Sequence, residues 1–305
     1  MTHKVAVISV CLNDEEALPP FLANVQQWTY KAFEYIFVDN ASTDATPDLL
    51  RAQNSAFRVV QAHRNLGTTG GYNRGIRMAA ELRVDYVMLL ALDVLLEPES
   101  LRILIGILDD NPDIAAVGPI LFKSHDPTLV ESMGFQIDER DWTITTHLGG
   151  QREPRDMPGL VDASYIDGGT SLFRLSALQK VGLLDERLFM YGEDVDICIR
   201  LRRAGFRVVS TSKTRAWHRH TEIRRAESVP RPYYLYYVAR NMLYLVRKHS
   251  TKSGRRAYYR RVVKALPRTL AYFSLRKKKP ALGLIHLEGI VHGMVGKMGK
   301  TKYVL

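Results

Sequence analysis

Three carboxylates occupy four positions in Leu188-Phe-Met-Tyr-Gly-Glu-Asp-Val-Asp-Ile-Cys-Ile-Arg-Leu-Arg-Arg-Ala-Gly205, between an aromatic loop and a helical pattern. With a helix start near Glu193, the i, i+3, i+4, i+7 set is Asp194, Ile197, Cys198 and Leu201, so Asp194 heads an otherwise apolar, inward-facing stripe. A carboxylate placed there can serve as a general base, taking the proton of an attacking hydroxyl. The plainer alternative is that Glu193, Asp194 and Asp196 only complement the positive end of the helix dipole.

Other polar clusters fall where strands should end. Asp93 is the only charged residue in the apolar run Leu89-Leu-Ala-Leu-Asp-Val-Leu-Leu96. Burying an unpaired carboxylate costs on the order of several kcal/mol, so Asp93 is expected to meet a cation or hydrogen-bond donors. A metal ion bridging a diphosphate is the sharper reading, and an acid that merely ends a strand is the plainer one. In Asp39-Asn-Ala-Ser-Thr-Asp44, Ser42 or Thr43 can cap the next helix, and Asp39 can accept the ring N–H of uracil or thymine. Alone, such a cluster is commonly only a turn and a cap. In His63-Arg-Asn-Leu-Gly-Thr-Thr-Gly-Gly-Tyr-Asn-Arg-Gly75, Gly67, Gly70 and Gly71 would let the backbone approach a ligand at a helix start, with Arg64 or Arg74 adding charge near a diphosphate. The segment is neither a Walker A loop nor a G-x-G-x-x-G fingerprint. Gly168 and Gly169 signal close approach of a substrate or another segment.

The elements that must hold these residues alternate. β-branched runs at Lys4–Val10, Tyr35–Val38, Phe57–Gln61, Tyr86–Leu90 and Ala115–Ile120 read as buried parallel strands. Helical patterns at Glu15–Trp28, Asp44–Gln53, Thr69–Leu82 and Pro98–Asp110 separate them. This predicts an α/β fold with a right-handed, doubly wound, mostly parallel sheet and a ligand at the carboxyl ends of the strands. From Lys123 to Leu160 the alternation gives way to short strands at Val130–Gly134, Gln136–Asp138 and Thr143–His147, a flap or hairpin region. A strand at Arg207–Ser210 precedes Arg215-Ala-Trp-His-Arg-His220.

With 305 residues, 46% hydrophobic, the chain has length for a real core and is globular, not disordered. A formal charge of +11 predicts an anionic partner: a nucleotide, a membrane surface or a nucleic acid. Cys11 and Cys198 have no zinc or redox spacing and read as buried thiols. The opening residues lack the pattern of a signal peptide, and no stretch is long and apolar enough to span a bilayer. The expected location is cytoplasmic, at most peripheral on the inner membrane face.

In this order the motifs resemble the family 2 inverting glycosyltransferases of GT-A fold, in particular rhamnosyltransferase and galactofuranosyltransferase-like members, over about residues 4 to 248. The resemblance implies a nucleotide-sugar site at Asp39, Asn40, Ser42 and Asp44, continued by Arg64, Asn65, Gly67, Gly71, Asn73 and Arg74. Ala91-Leu-Asp93 falls where the family has its DxD-type motif, implying Mg²⁺ or Mn²⁺ on Asp93 although the first acidic position is Ala91. Asp167, Gly168 and Gly169 resemble the acceptor-side loop. Gly192-Glu-Asp-Val-Asp196 resembles the ED motif, implying Asp194 as base with Glu193 its rival. His218 or His220 corresponds to a histidine that ligates metal or contacts phosphate.

The resemblance implies a donor half over about 1–122, an acceptor half over about 123–225 and a basic helical extension over 226–305. In that extension Tyr233–His249 reads as an amphipathic helix packed on the catalytic domain. Beyond it, Arg and Lys alternate with apolar residues, which suits an anionic membrane interface or a solvated charged face. The function expected is transfer of a sugar from a UDP- or dTDP-linked donor to a glycan or lipid-linked glycan. A nucleotidyltransferase and a nucleic-acid-binding protein are the alternatives, the latter prompted by Tyr interleaved with Arg.

Overall fold

The structure is a computed structural model that describes residues 4–53, 57–219 and 230–303. Its core is a sheet of order β10-β12-β6-β11-β4-β1-β2-β3, with β5 pairing β12 and β7 pairing β6. The strands are β1 (Val5–Cys11), β2 (Phe33–Asp39), β3 (Arg58–Gln61), β4 (Tyr86–Leu90), β5 (Val94–Leu96), β6 (Ile114–Lys123), β7 (Asp126–Ser132), β10 (Leu160–Asp162), β11 (Thr170–Arg174) and β12 (Arg207–His218). A separate hairpin joins β8 (Phe135–Asp138) to β9 (Thr143–Thr146). β1 runs parallel to β2 and β4, and β2 to β3, while β11 is inserted antiparallel between β4 and β6.

The period-2 alternation of the strands divides the apolar side chains between two layers. Val5, Val7, Tyr35 and Phe37 face one side, toward α1 (Leu18–Gln26) and α4 (Ser100–Asp110). Ala6, Ile8, Ile36 and Val38 face the other, toward α3 (Gly67–Glu81), α5 (Leu175–Val181) and α6 (Glu193–Arg203). Every central strand is therefore covered twice, which is why these runs are continuously apolar. Pro19 and Pro47 stand in the first turns of α1 and α2 (Thr46–Arg51), where a missing N–H costs nothing.

Two sequence expectations change here. β5 was not foreseen, and β12 does not stop at Ser210 but continues to His218. Its register against β6 slips between Thr211 and Arg215, so Ser212, Lys213 and Thr214 are looped out before pairing resumes. The polar interruption that looks like a strand end is a bulge, and the resumed strand carries His218 back beside β5.

After residues 220–229, which lie outside those described and contain the expected extension boundary at 226, come α7 (Pro232–His249), α8 (Lys252–Ala271), a π-helical turn (Tyr272–Arg276) and α9 (Pro280–Val295). Tyr244, Leu245 and Val246 of α7 belong to the same core as α3 and α6. Among the described residues no helix is long and apolar enough to cross a membrane.

Candidate active site

The three acids of the α6 entry do three different things. Ile197, Cys198 and Leu201 are fully buried, and Asp194 stands at the open end of that stripe. Its Oδ1 accepts the Val195 N–H at 2.8 Å, and the Gly168 N–H also bonds to it. A Cβ on Gly168 would lie 3.0 Å from the Asp194 Cβ, so the glycine lets the two segments touch. Burial pushes the Asp194 carboxyl up from the ordinary range, and the neighbouring Asp167 charge pushes the same way. Glu193 is raised by burial and then by Asp194; its Oε2 is buried with no hydrogen-bond partner among the described residues. Asp196 is fully buried away from the cleft, on Arg200 at 2.8 Å, Lys248 at 2.6 Å and His249 at 2.7 Å. Burial alone would raise it, but these partners hold it below the usual range.

The loop into α6 is unusual backbone: Phe189, Tyr191 and Gly192 have φ of 65°, 67° and 88°. Positive φ is uncommon for non-glycine residues and persists where surrounding contacts over-determine it. Here those contacts come from α7. Arg240 donates to the carbonyls of Leu188 at 2.8 Å and Gly299 at 2.6 Å, with its guanidinium 4.7 Å from the Tyr237 ring centroid. Asn241 Nδ2 lies 3.0 Å from the Leu188 oxygen and 2.7 Å from those of Met190 and Tyr191.

The turn between β4 and β5 delivers Asp93. The Asp93 carboxylate lies 3.3 Å from His218 Nε2, and His218 Nδ1 lies 3.4 Å from Glu131 of β7. Burial disfavours the imidazolium, but Asp93 and Glu131 override it and hold the His218 pKa at about 10. Asp167, raised by burial, accepts the Gly169 N–H at 2.9 Å. A Cβ on Gly169 would meet the Ala91 Cβ at 3.0 Å, so Ala91 packs on this loop. Asp93, Asp167, Gly168, Gly169, Asp194 and His218 are thus brought together from four separate stretches of chain. His220 lies outside the described residues.

With its proton displaced by an entering cation, the His218 imidazole and the Asp93 carboxylate, whose nitrogen and oxygen lie 3.3 Å apart, form a donor pair that suits a divalent ion. No group of three or more His, Cys, Asp or Glu ligands occurs among the described residues, so an ion held here would take its other ligands from a bound diphosphate and water.

A cleft of about 700 Å³ opens from Asp93. Its walls include Asn13, Asp14 and Glu15 after β1, Thr43 and Asp44 after β2, and the cations Arg219 and Arg231. These loops cross-brace one another: Thr43 N–H donates to Asn13 Oδ1 at 2.8 Å, Glu15 N–H to Asp44 at 3.1 Å, and Asn13 N–H to Ser42 Oγ at 3.0 Å. Burial lifts Asp14 to about 6. Asp39 is fully buried, accepting from Ser42 N–H at 3.0 Å and Gln61 at 3.1 Å.

The glycine-rich segment needs correction. Gly67 and Gly71 do not give a ligand access to the α3 start: a Cβ on Gly67 would strike the Phe189 carbonyl at 2.2 Å, and one on Gly71 would strike Val10 at 2.6 Å. They are protein-packing glycines. The amides at the helix start are also occupied, Leu66 N–H by Asn40, Gly67 N–H by Asn65 and Thr69 N–H by the Phe189 carbonyl. Asn40 and Asn65 therefore brace this turn. Asn73 is buried and bound to both backbone groups of Leu184 and to Glu186. Arg64 is exposed, Arg74 is half-buried, and neither lines the cleft. Arg219, Arg231, Asp14 and Glu131 were missed; of these only Asn13-Asp-Glu15, polar residues after the first strand, carried a readable signal.

Comparison with known proteins agrees with this geometry. The chain is 27% identical over 235 residues to N-acetylglucosaminyl-diphospho-decaprenol L-rhamnosyltransferase of Mycobacterium tuberculosis, covering 72% of this chain and 76% of that protein. It is 24% identical over 215 residues to poly-beta-1,6-N-acetyl-D-glucosamine synthase of Staphylococcus aureus, covering 70% of this chain but 49% of the synthase. In fold it resembles S. aureus TarS 1-349, with a TM-score of 0.60, 14% identity and coverage of 95% and 80%. It also resembles the mannosyltransferase PcManGT from Pyrobaculum calidifontis in complex with GDP-Man and Mn²⁺, with a TM-score of 0.60, 15% identity and coverage of 97% and 88%. These structures share the GT-A fold. The family model for glycosyl transferase family 2 matches residues 6–182, more than half the chain, and this protein belongs to that family as a glycosyltransferase.

Proposed function

We propose that the protein transfers a sugar from a UDP- or dTDP-linked donor to a hydroxyl of a lipid-linked glycan, inverting the anomeric centre in one displacement. The observation that carries this reading is that one loop, Asp167-Gly168-Gly169, touches Asp194 through Gly168 and, through Gly169, Ala91 two residues before Asp93, with Asp167 feeling the Asp93 charge. The donor nucleotide lies in the Asp93 cleft, its base toward Thr43 and Asp44, in the turn that Asp39 braces from beneath through the Ser42 N–H, and its diphosphate between Asp93, Arg219 and Arg231. The lipid-linked acceptor is suggested by the mycobacterial relative, whose name specifies a decaprenol diphosphate. Such an acceptor is presented at a membrane, and the basic C-terminal helices are the part of the chain suited to meet an anionic surface.

The mechanism follows from where charge develops. Asp194, raised and aimed past Gly168, accepts the acceptor hydroxyl proton as the oxygen attacks. Arg219 and Arg231 offset the charge appearing on the departing diphosphate. Asp93 and His218 would hold Mg²⁺ or Mn²⁺, which supplies further charge neutralisation on the diphosphate when bound. Asp167 and its glycines shape the acceptor side. Glu193, with its unpartnered oxygen, is the second candidate for the base. Family membership removes the nucleotidyltransferase alternative.

The test is calorimetric titration of the protein with UDP and with dTDP, each with and without Mn²⁺. Metal-dependent binding of one of them is expected. Absence of binding by both would refute the donor assignment and direct the search to guanosine diphosphate donors.

A further inference from the structure

The sequence from Pro230 to Leu287 contains fifteen Lys and Arg and no Asp or Glu. The structure adds where the apolar residues of this region point. Among the described residues eight large hydrophobics are exposed, and seven lie between Val263 and Val295; Val59 is the other. Helix α9 explains the concentration. Its glycines face inward: a Cβ on Gly289 would strike the Tyr236 carbonyl at 2.5 Å, and one on Gly293 the Arg240 carbonyl at 2.6 Å. The opposite stripe at i, i+7 and i+11 is Leu284, Val291 and Val295, which are 62%, 47% and 71% exposed. A helix apolar all round is ordinarily enclosed on all sides by protein or lipid. Here α7 covers only the glycine side. Glu288, the acid of α9, is engaged by Tyr303 and Lys302.

The neighbouring elements of this region carry exposed cations. Arg260, Lys264 and Arg268, at i, i+4 and i+8 on α8, line a groove of about 630 Å³ and make no ion pair among the described residues. Arg276, Lys278 and Lys279 are exposed at the π-helical turn, beside Leu275 at 77% exposure.

We propose that α8, the π-helical turn and α9 form a membrane-binding surface that lies in the interface of an anionic bilayer, with Leu284, Val291 and Val295 entering the headgroup boundary and Arg260, Lys264 and Arg268 holding lipid phosphates. The absence of a spanning helix among the described residues fits a helix pair lying in the interface plane. Charge complementarity selects an anionic surface. The exposed apolar residues select lipid over nucleic acid: six of the seven are Val, Leu or Met, which offer no ring for a base to stack on. The proposal rests on the lipid-linked acceptor reading for its purpose, and on the surface alone for its physics.

The experiment is co-sedimentation of the full chain with vesicles of phosphatidylcholine, alone or with about 30 mol% phosphatidylglycerol. The anionic vesicles are expected to bind the protein and the neutral ones to leave it in solution. Leu284→Ser/Val291→Ser/Val295→Ser and, separately, Arg260→Glu/Lys264→Glu/Arg268→Glu should each lower binding about tenfold or more. Both variants should keep the wild-type melting temperature and UDP or dTDP affinity, so loss of membrane binding reads separately from loss of the donor site. Equal binding to both vesicle types, no binding to either, or undiminished binding by the serine variant would overturn the proposal. So would binding of a single-stranded RNA oligonucleotide that the anionic vesicles fail to displace.

Discussion

The side-chain nitrogen of Asn241, on α7, lies 2.7 Å from the carbonyl oxygen of Tyr191, two residues before Glu193. The same nitrogen reaches the carbonyls of Leu188 and Met190, so one amide gathers a loop whose Phe189 and Tyr191 both have positive φ. Helix α7 thereby sets the backbone from which α6 and Asp194 start. Asn241→Ala leaves buried carbonyls without this donor and should cost about 2 kcal/mol or more of stability, read by denaturant unfolding. Because the loop aims the base, kcat should fall further than donor affinity, and a parallel loss of both would mean only general unfolding.

Asp194→Asn keeps the shape of the side chain and removes its ability to take a proton. Transfer should drop by about 100-fold or more while UDP or dTDP affinity stays within about twofold of wild type. Glu193→Gln should be milder. A normal turnover number for the Asp194 variant would shift the base to Glu193.

The raised carboxyls of Glu193 and Asp194 make a signed pH prediction. Between the ordinary carboxylate range near pH 4 and their raised folded values, the native state holds more protons than the unfolded chain, so their contribution to stability declines as pH rises. Glu193→Gln and Asp194→Asn should therefore melt higher than wild type at about pH 8 and lose that advantage toward about pH 4. Wild-type kcat should rise over the same window, because only the ionised base accepts the proton.

Asp93→Ala and His218→Ala should each remove most of the Mn²⁺ dependence of nucleotide binding, and chelation of metal should do the same to the wild type. Glu131 touches His218 from the other side and orients its ring, so Glu131→Gln should weaken Mn²⁺ binding about 10-fold, seen in a direct metal titration.

Gly71→Ala distinguishes a packing glycine from a ligand-binding one. The new methyl would press on Val10, and the cost should be about 1–3 kcal/mol of stability with nucleotide affinity of the folded protein unchanged. Weaker nucleotide binding at unaltered stability would restore the segment to the donor site.

The parallel strands, their covering helices and the stripe headed by Asp194 were legible because a doubly covered strand must be continuously apolar and an α6-type helix must bury one face. Asp93 was legible for the same reason, as a lone charge in an apolar run. Sequence also determines the basic character of the segment from Pro230 to Leu287, which has no Asp or Glu, whatever its fold. Only tertiary structure could decide which glycines meet protein instead of ligand, since Gly71 against Val10 and Gly168 against Asp194 depend on segments distant in the chain. It alone joins Glu131 and His218, because the bulge in β12 determines where the strand resumes. It also divides Asp194 from Asp196: two residues apart on a helix of 3.6 residues per turn, they point to different sides, one against Gly168 of the Asp167 loop and one onto Lys248 and His249.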